Sequence, residues 1–381
     1  MTSKRESADR VTPTQRLHEL GQSLWLDNIT RTMLHDGTLE RYIDEQSVTG
    51  LTSNPTIFAK AIMAGDAYDG ELAELRGHGL QGEELFFELA LIDLRRAAKM
   101  FAAVNERTDG VDGWVSLEVS PLLADDSAAT IEQVATLHAR ADCNIFIKIP
   151  GTDAGREAIE ESTFAGIPIN VTLLFSTEQY LGAADAYMRG LERRIDAGLD
   201  PAVPSVASLF VSRWDKAVSD QAPDELRGRL GIAVAMRTYR AYRELLDSER
   251  WQRLQNEGAR AQRLLWASTG TKDAAASDVL YVEALVAPFT INTMPEATLL
   301  AFSEHGQVRE SLPADGGDAE DVLAKYGAAG LDIDVLAERL QYDGAVAFSA
   351  SWTELIESIA SKGEALAASG WPRGQRRDRA A

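Results

Sequence analysis

The sequence predicts an α/β protein built as a single (β/α)8 TIM barrel with additional N- and C-terminal helices. Short β-branched or apolar runs alternate with longer helix-patterned stretches along the chain. The runs number about eight, as a closed parallel barrel requires. A doubly wound open sheet is the structural alternative. It is disfavoured because Asp27, at the end of the first run, precedes NITRTML and not the glycine-rich turn GxGxxG.

The predicted strands are bounded by turn or polar residues on both sides. They are SLWLDN (23–28), VTGLTSN (48–54), WVSLEV (114–119), IFIKIP (145–150), IPINVTLLF (167–175), PSVASLFV (204–211), LLWAST (264–269) and ALVAPFT (284–290). The long separation between the second and third runs needs more than one helix.

Helices are predicted between the strands and at both ends. Thr12 as N-cap and Pro13 at the first helical position indicate a helix before the first strand. The stretch 83–103 carries one apolar face, formed by Leu85, Phe86, Leu89, Ile92 and Ala97. We therefore expect one domain over 1–381, with the barrel at roughly 22–330, a C-terminal helical region at roughly 331–370 and disordered polar tails at about 1–10 and 375–381.

Composition excludes several functional classes. The chain has 381 residues, 45% of them hydrophobic, and a formal net charge of −21, which opposes binding to nucleic acid or anionic membranes. It contains neither a run of roughly 20 apolar residues nor a signal peptide, so we expect a soluble, cytoplasmic protein. Cys143 is the single cysteine, and the five histidines lack metal-ligand spacing, so we expect no metal. An anionic substrate would need locally placed Arg or Lys residues.

In a barrel of this kind, polar residues that end apolar strands form the active site. The predicted strands place such residues at their carboxyl ends: Asp27, Asn54, Glu118, Lys148, Thr172 with Asn170 nearby, Ser208 and Ser268.

Lys148 is the most unusual of these residues. Strand alternation turns Phe146, Lys148 and Pro150 away from the flanking Ile147 and Ile149. If that side faces the barrel interior, burial favours the neutral amine that attacks a ketone. A paired or snorkelling lysine is the alternative interpretation.

The other polar residues suit proton transfer and anion binding. Asp27 and Glu118 supply two carboxylates for acid and base steps, although each is equally compatible with a helix cap or an ion pair. Arg213 follows the sixth strand and Lys272 lies in the loop STGTKD after the seventh, near the usual phosphate site of such barrels. For each cation alone, a role on the protein surface fits the sequence as well as phosphate binding does.

Six ordered segments resemble the transaldolase family: LWLDNI, GLTSNPTIF, VSLEVSP, FIKIPGT, INVTLLFS and SLFVSRWD. The segments STGTKD and YVEALVAPFTINTMPEATL look like its longer bacterial form. The resemblance runs roughly from residue 16 to residue 361, nearly the whole chain.

The resemblance implies a role for each matching residue. Lys148 matches the Schiff-base lysine, Asp27 the acid/base for the C4 hydroxyl, and Glu118 with Thr172 the pair that positions the catalytic water. The residues implied to bind the dihydroxyacetone hydroxyls are Asn54, Asn170 and Ser208. Arg213 matches a phosphate ligand. The family's second phosphate-binding arginine is not evident, and Lys272 is our inferred replacement.

The implied reaction is that of the pentose phosphate pathway. It carries a dihydroxyacetone unit from sedoheptulose 7-phosphate to glyceraldehyde 3-phosphate through a lysine Schiff base, with no cofactor. The sequence does not determine the oligomeric state and is compatible with a homo-oligomer. One alternative is a fructose 6-phosphate aldolase, although Glu118 and Phe210 resemble the transferase pattern where aldolases resemble Gln and Tyr. Another is a non-catalytic barrel that binds sugar phosphates.

Overall fold

The protein is described from a computed structural model covering residues 11–368. Eight parallel strands form a closed barrel in which each strand pairs with the next along the chain and the last pairs with the first. This confirms the predicted (β/α)8 barrel. The strands are β1 (Ser23–Asp27), β2 (Val48–Thr52), β3 (Trp114–Glu118), β4 (Ile145–Pro150), β5 (Ile169–Leu174), β6 (Ser205–Phe210), β7 (Gln262–Ala267) and β8 (Ile291–Met294).

Helices surround the barrel and extend it at both ends. Within the described residues they are α1 (Pro13–Glu19), α2 (Arg31–His35), α3 (Thr38–Glu45), α4 (Pro55–Met63), α5 (Asp69–Gly77), α6 (Gly82–Arg107), α7 (Ser127–Ala141), α8 (Asp153–Phe164), α9 (Thr177–Asp196), α10 (Ser212–Ala217), α11 (Leu230–Asp247), α12 (Glu249–Asn256), α13 (Leu280–Ala284), α14 (Glu296–His305), α15 (Ala319–Ala328) and α16 (Ile333–Ala368). Short 3-10 turns occur at Pro121–Leu123 and Asp224–Leu226.

The predicted helices are present. Thr12 caps α1 in a capping box: its hydroxyl accepts from the Gln15 N–H at 3.2 Å, and its own N–H donates to Gln15 Oε1 at 2.9 Å. The helix predicted over 83–103 is α6, which is longer at both ends, and the C-terminal helix is α16. The tails predicted at 1–10 and 375–381 lie outside the described residues.

The strands alternate as predicted between an outer and an inner apolar layer. In β4, Ile145, Ile147 and Ile149 belong to the core between the strands and the helices. Phe146 belongs to the inner cluster, where its ring lies 5.9 Å from Trp25 and 4.5 Å from Trp114. These aromatic rings fill the barrel one layer below Lys148, because side chains two residues apart on a strand share a face.

A polar network closes the opposite, amino-terminal end of the barrel. Asp112 pairs with Arg263 at 3.1 Å and accepts a hydrogen bond from Ser23 Oγ at 2.6 Å. Trp25 Nε1 also donates to Asp112, at 3.3 Å, so the network orients the aromatic floor.

The position predicted for the eighth strand, 284–290, is wrong. Ala284 ends α13, and Leu285, Val286 and Ala287 are fully buried without belonging to a strand. Pro288 has no N–H to donate to a ladder, and the strand itself, β8, begins at Ile291 and pairs with Ser23 of β1. The run is apolar because it forms a buried loop, and hydrophobic periodicity cannot distinguish a buried loop from a strand.

The seventh strand lies two residues earlier than predicted. It ends before Ser268, whose φ of 56° breaks the extended backbone.

The last helix, α16, passes over the carboxyl ends of the strands. Gln341 Nε2 donates to the carbonyls of Leu173 at 3.0 Å and Gly151 at 3.2 Å, which lie at the carboxyl ends of β5 and β4. Farther along, Trp352 Nε1 donates to Glu83 of α6 at 2.6 Å. In residues 11–368, no helix combines the length and apolarity needed to span a membrane.

Gly50 of β2 leaves the room that Trp25 occupies inside the barrel. A Cβ at this position would lie 2.7 Å from two atoms of the Trp25 indole and 2.8 Å from the Trp114 carbonyl. We expect Gly50→Ala to lower the free energy of unfolding by about 1–3 kcal/mol, as for other overpacked cores. Gly327→Ala, in α15, is the control and should not destabilise, because a Cβ there would meet no atom within 4 Å. Equal chemical-denaturation midpoints for the two variants would contradict this expectation.

Candidate active site

A cavity of about 190 Å³ opens at the carboxyl ends of the strands. Most of the predicted site residues line this cavity, as does Ser268. They are Asp27, Asn54, Lys148, Thr172, Ser208, Phe210, Arg213 and Lys272. Glu118 and Asn170 do not line it, but each lies beside Lys148 in the strand register, on β3 and β5 respectively. The structure thus brings all the predicted residues to one end of the barrel.

Lys148 is a buried amine with few partners. Only 6% of the residue is exposed. Its Nζ donates to the Ser53 carbonyl at 3.2 Å and lies 3.5 Å from Glu118 Oε2. Because Lys148 lines the cavity above the aromatic floor, a carbonyl compound that enters the cavity can reach it.

Burial disfavours ionisation of both carboxyl groups of the site. Burial raises the pKa of Asp27, and this effect is opposed by Lys148, by the hydrogen bond from Thr52 and by Lys272. Burial likewise raises the pKa of Glu118, opposed by Lys148 and reinforced by Asp27. Catalytic acids and bases commonly have pKa values raised by burial, so both carboxyl groups are candidates for acid/base catalysis.

Two amide side chains combine structural contacts with places at the site. Asn54 caps α4 by accepting from the Ile57 N–H at 3.1 Å, which uses its oxygen and leaves its amide nitrogen for the cavity that it lines. Asn170 is fully buried, accepts from Ser208 Oγ at 2.7 Å and donates to Ser116 Oγ at 3.3 Å. The hydrogen bond to Asn170 therefore holds Ser208 in place, and the Ser208 oxygen can still accept a hydrogen bond from a ligand.

The Thr172 hydroxyl is buried on the strand next to Lys148. Its Oγ1 has no hydrogen-bond partner among residues 11–368, although Thr172 lines the cavity. A buried hydroxyl without a partner is unfavourable unless a ligand or water satisfies it. Thr172 is therefore positioned to hold a small polar molecule beside the amine.

Two cations line the outer part of the cavity. The Arg213 guanidinium stacks on Phe210 at 5.1 Å and on Phe348 at 5.7 Å, and no carboxylate pairs with it in the described part of the chain. Burial lowers the pKa of Arg213, opposed by the charge of Glu118. Lys272 is exposed in the loop after β7. The arrangement offers positive charge to an anion at the mouth of a cavity whose base holds an amine.

A family model described as Transaldolase/Fructose-6-phosphate aldolase matches residues 24–359. The chain belongs to this family. The match covers every strand except the first residue of β1 and reaches into α16. The resemblance found in the sequence and the prediction of an enzyme of the transaldolase type are confirmed.

Curated relatives of this transaldolase-family chain align over almost their whole length. The transaldolase of Thermobifida fusca is 44% identical over 360 residues, covering 92% of this chain and 98% of that protein. Transaldolase 2 of Streptomyces coelicolor is 42% identical over 367 residues, covering 93% and 98%. The transaldolase of Neisseria meningitidis is 42% identical over 343 residues, covering 89% and 97%.

Among the cavity-lining side chains that were not predicted from the sequence, three bear on the geometry of the site: Thr52, Thr293 and Phe348. Thr52 Oγ1 donates to Asp27 Oδ1 at 2.9 Å and lies 2.7 Å from Thr293 Oγ1. Thr52 ends β2 and its position could have indicated the site, whereas Thr293 was missed because β8 was misplaced. Phe348 belongs to α16, and nothing in its local sequence indicates a site. Within residues 11–368, no three His, Cys, Asp or Glu side chains group as a metal site would require.

Proposed function

We propose that this chain is a transaldolase that carries a dihydroxyacetone unit from sedoheptulose 7-phosphate to glyceraldehyde 3-phosphate as a Schiff base on Lys148. The observation that carries the proposal is a buried amine, Lys148, beside Glu118 in a cavity lined by Asp27. The relatives named transaldolase, at 41–44% identity, support the choice of reaction. The enzyme works on small sugar phosphates in the cytoplasm and needs no cofactor.

The reaction begins when the neutral Lys148 amine attacks the C2 carbonyl of the ketose. Loss of water gives an imine whose carbon remains attached to the enzyme through Nζ. Glu118, 3.5 Å from Nζ, is close enough to exchange protons with the amine during this step.

Cleavage of the donor breaks the C3–C4 bond. Asp27 takes the proton of the C4 hydroxyl, C4 leaves as an aldehyde, and the bonding electrons move into the imine to give an enamine. The enamine then attacks the acceptor aldehyde, and the protonated Asp27 returns its proton to the new hydroxyl. Water held by Glu118 and Thr172 adds to the imine carbon and releases the product and the amine.

The alternative, a fructose 6-phosphate aldolase, differs in the fate of the enamine. An aldolase releases free dihydroxyacetone, whereas a transaldolase holds the unit until an aldehyde arrives. The assay supplies fructose 6-phosphate with or without erythrose 4-phosphate and measures glyceraldehyde 3-phosphate and dihydroxyacetone separately. We expect sustained glyceraldehyde 3-phosphate formation only with the acceptor. If, without erythrose 4-phosphate, free dihydroxyacetone forms in the same amount as glyceraldehyde 3-phosphate, the aldolase is favoured.

The two cations are expected to bind the phosphate group. Arg213 can grip two phosphate oxygens, and Lys272 acts as a point charge in its loop. Replacing either by Ala should raise KM for phosphorylated substrates by about 10-fold, since charged hydrogen bonds are worth roughly 1.5–3 kcal/mol. Activity on unphosphorylated fructose should change far less.

Lys325→Ala, at an exposed position on α15, provides the matched control. It should leave KM for both kinds of substrate unchanged. If Lys272→Ala weakens both kinds equally, or neither, Lys272 does not bind the phosphate and the replacement that we infer for the second arginine is wrong.

A further inference from the structure

The buried face of α16 is interrupted by one aromatic side chain at the cavity. Leu340, Gly344 and Trp352 on this face are buried, whereas Phe348, at the same helical spacing, is only partly buried. Phe348 lines the cavity and its ring lies 6.5 Å from that of Phe210. The helix therefore contributes a side chain to the site where its apolar stripe passes over the barrel mouth.

Phe348 and Phe210 both contact the Arg213 guanidinium through their ring faces. An acidic partner would hold the guanidinium by occupying its N–H donors. Aromatic rings hold it through the π-face and leave those donors available. The side chain is thus oriented while it keeps the capacity to bind an anion.

The helix backbone also approaches Arg213 directly. A Cβ at Gly344 would lie 3.2 Å from Arg213 Nη1 and 3.1 Å from Leu173 Cδ2, so only the absence of a side chain permits the present spacing. One turn earlier, Gln341 fixes the helix to carbonyls at the ends of β4 and β5. Three contacts one turn apart therefore fix α16 relative to the strands and to Arg213.

We propose that Phe348 is a positioning residue that holds Arg213 in the orientation needed to bind the phosphomonoester end of the substrate. This rests on the proposed function in assigning Arg213 to the substrate phosphate. The C-terminal helix, although remote in sequence from the catalytic strands, is then part of the substrate-binding site.

Phosphate binding tests the proposal without requiring turnover. The dissociation constant of inorganic phosphate is measured by calorimetry for the wild type, Phe348→Leu, Phe348→Tyr and Tyr342→Leu. Tyr342, on the same helix, is 70% exposed, so its replacement removes an aromatic ring away from Arg213. We expect Phe348→Leu to weaken phosphate binding about five-fold, and Phe348→Tyr and Tyr342→Leu to bind as the wild type does.

Kinetics give a second readout that a purely structural role would not produce. Phe348→Leu should raise KM for fructose 6-phosphate with little change in kcat, and should leave kcat/KM for unphosphorylated fructose within about two-fold. Unchanged phosphate affinity in Phe348→Leu, or an equal loss in Tyr342→Leu, overturns the proposal. If the wild type forms no imine, the proposed function fails while the phosphate titration still decides the role of Phe348.

Discussion

Lys148→Arg is expected to lower turnover by roughly 10⁴-fold or more while the chain remains folded. Arginine places a cationic side chain beside Glu118, but it stays protonated and cannot form an imine. The measurement is a steady-state assay with fructose 6-phosphate and erythrose 4-phosphate. It is combined with sodium borohydride reduction and mass spectrometry, which should place an adduct on Lys148 in the wild type and none in the variant.

Lys99→Arg, at an exposed position on α6, is the matched control. It should retain both turnover and the borohydride adduct. Near-normal activity of folded Lys148→Arg, or an adduct on another lysine, would remove Lys148 from the mechanism. A circular dichroism melt shows whether the variant is folded.

Asp27→Asn is expected to lower turnover by roughly 10²–10⁴-fold, the usual range for a positioned acid/base. Burial raises the pKa of Asp27 in the folded chain above its value in the unfolded chain. Between these two pKa values the unfolded chain has already released the proton, so the folded state loses stability as pH rises through this range. Asparagine removes this cost, so the melting temperature at neutral pH should not fall. Unchanged turnover would make the role of Asp27 structural.

Thr52→Val is the companion variant, because it removes the hydroxyl that donates to Asp27 and hydrogen-bonds with Thr293, with little change in side-chain volume. That bond lowers the pKa of Asp27, so its loss should raise the pKa further. In the proposed mechanism cleavage needs the ionised Asp27 carboxylate, so the acidic limb of kcat/KM should move to higher pH while the plateau rate is largely retained. A uniform loss at every pH would show that Thr52 acts through packing instead.

Local patterns were sufficient for the residues that lie on strands. The alternation in IFIKIP places Lys148 on the inner face of β4, where the structure has it, because a strand has only two faces. The same reasoning placed Asp27 and Glu118 at the ends of β1 and β3. Such predictions depend on neighbouring residues alone.

The remaining parts of the site depend on contacts between distant segments. Phe348 meets Arg213 only because α16 crosses the barrel mouth, and no pattern around residue 348 carries that information. Thr293 was lost because the buried loop before β8 is as apolar as a strand. Burial without a strand is decided by the tertiary packing, which local periodicity does not record.

The pairing of β1 with β8 has a consequence for how the chain is made. Ser23 leaves the ribosome long before Ile291, its partner, because synthesis proceeds at about 5–20 residues per second. For this interval β1 presents an unpaired strand edge of the kind that promotes aggregation. The floor beneath Lys148 also stays incomplete, since Ile291 belongs to the same inner cluster as Trp25. Lys148 therefore acquires its buried surroundings at the end of translation, when closure of the barrel and docking of the last helix follow one another.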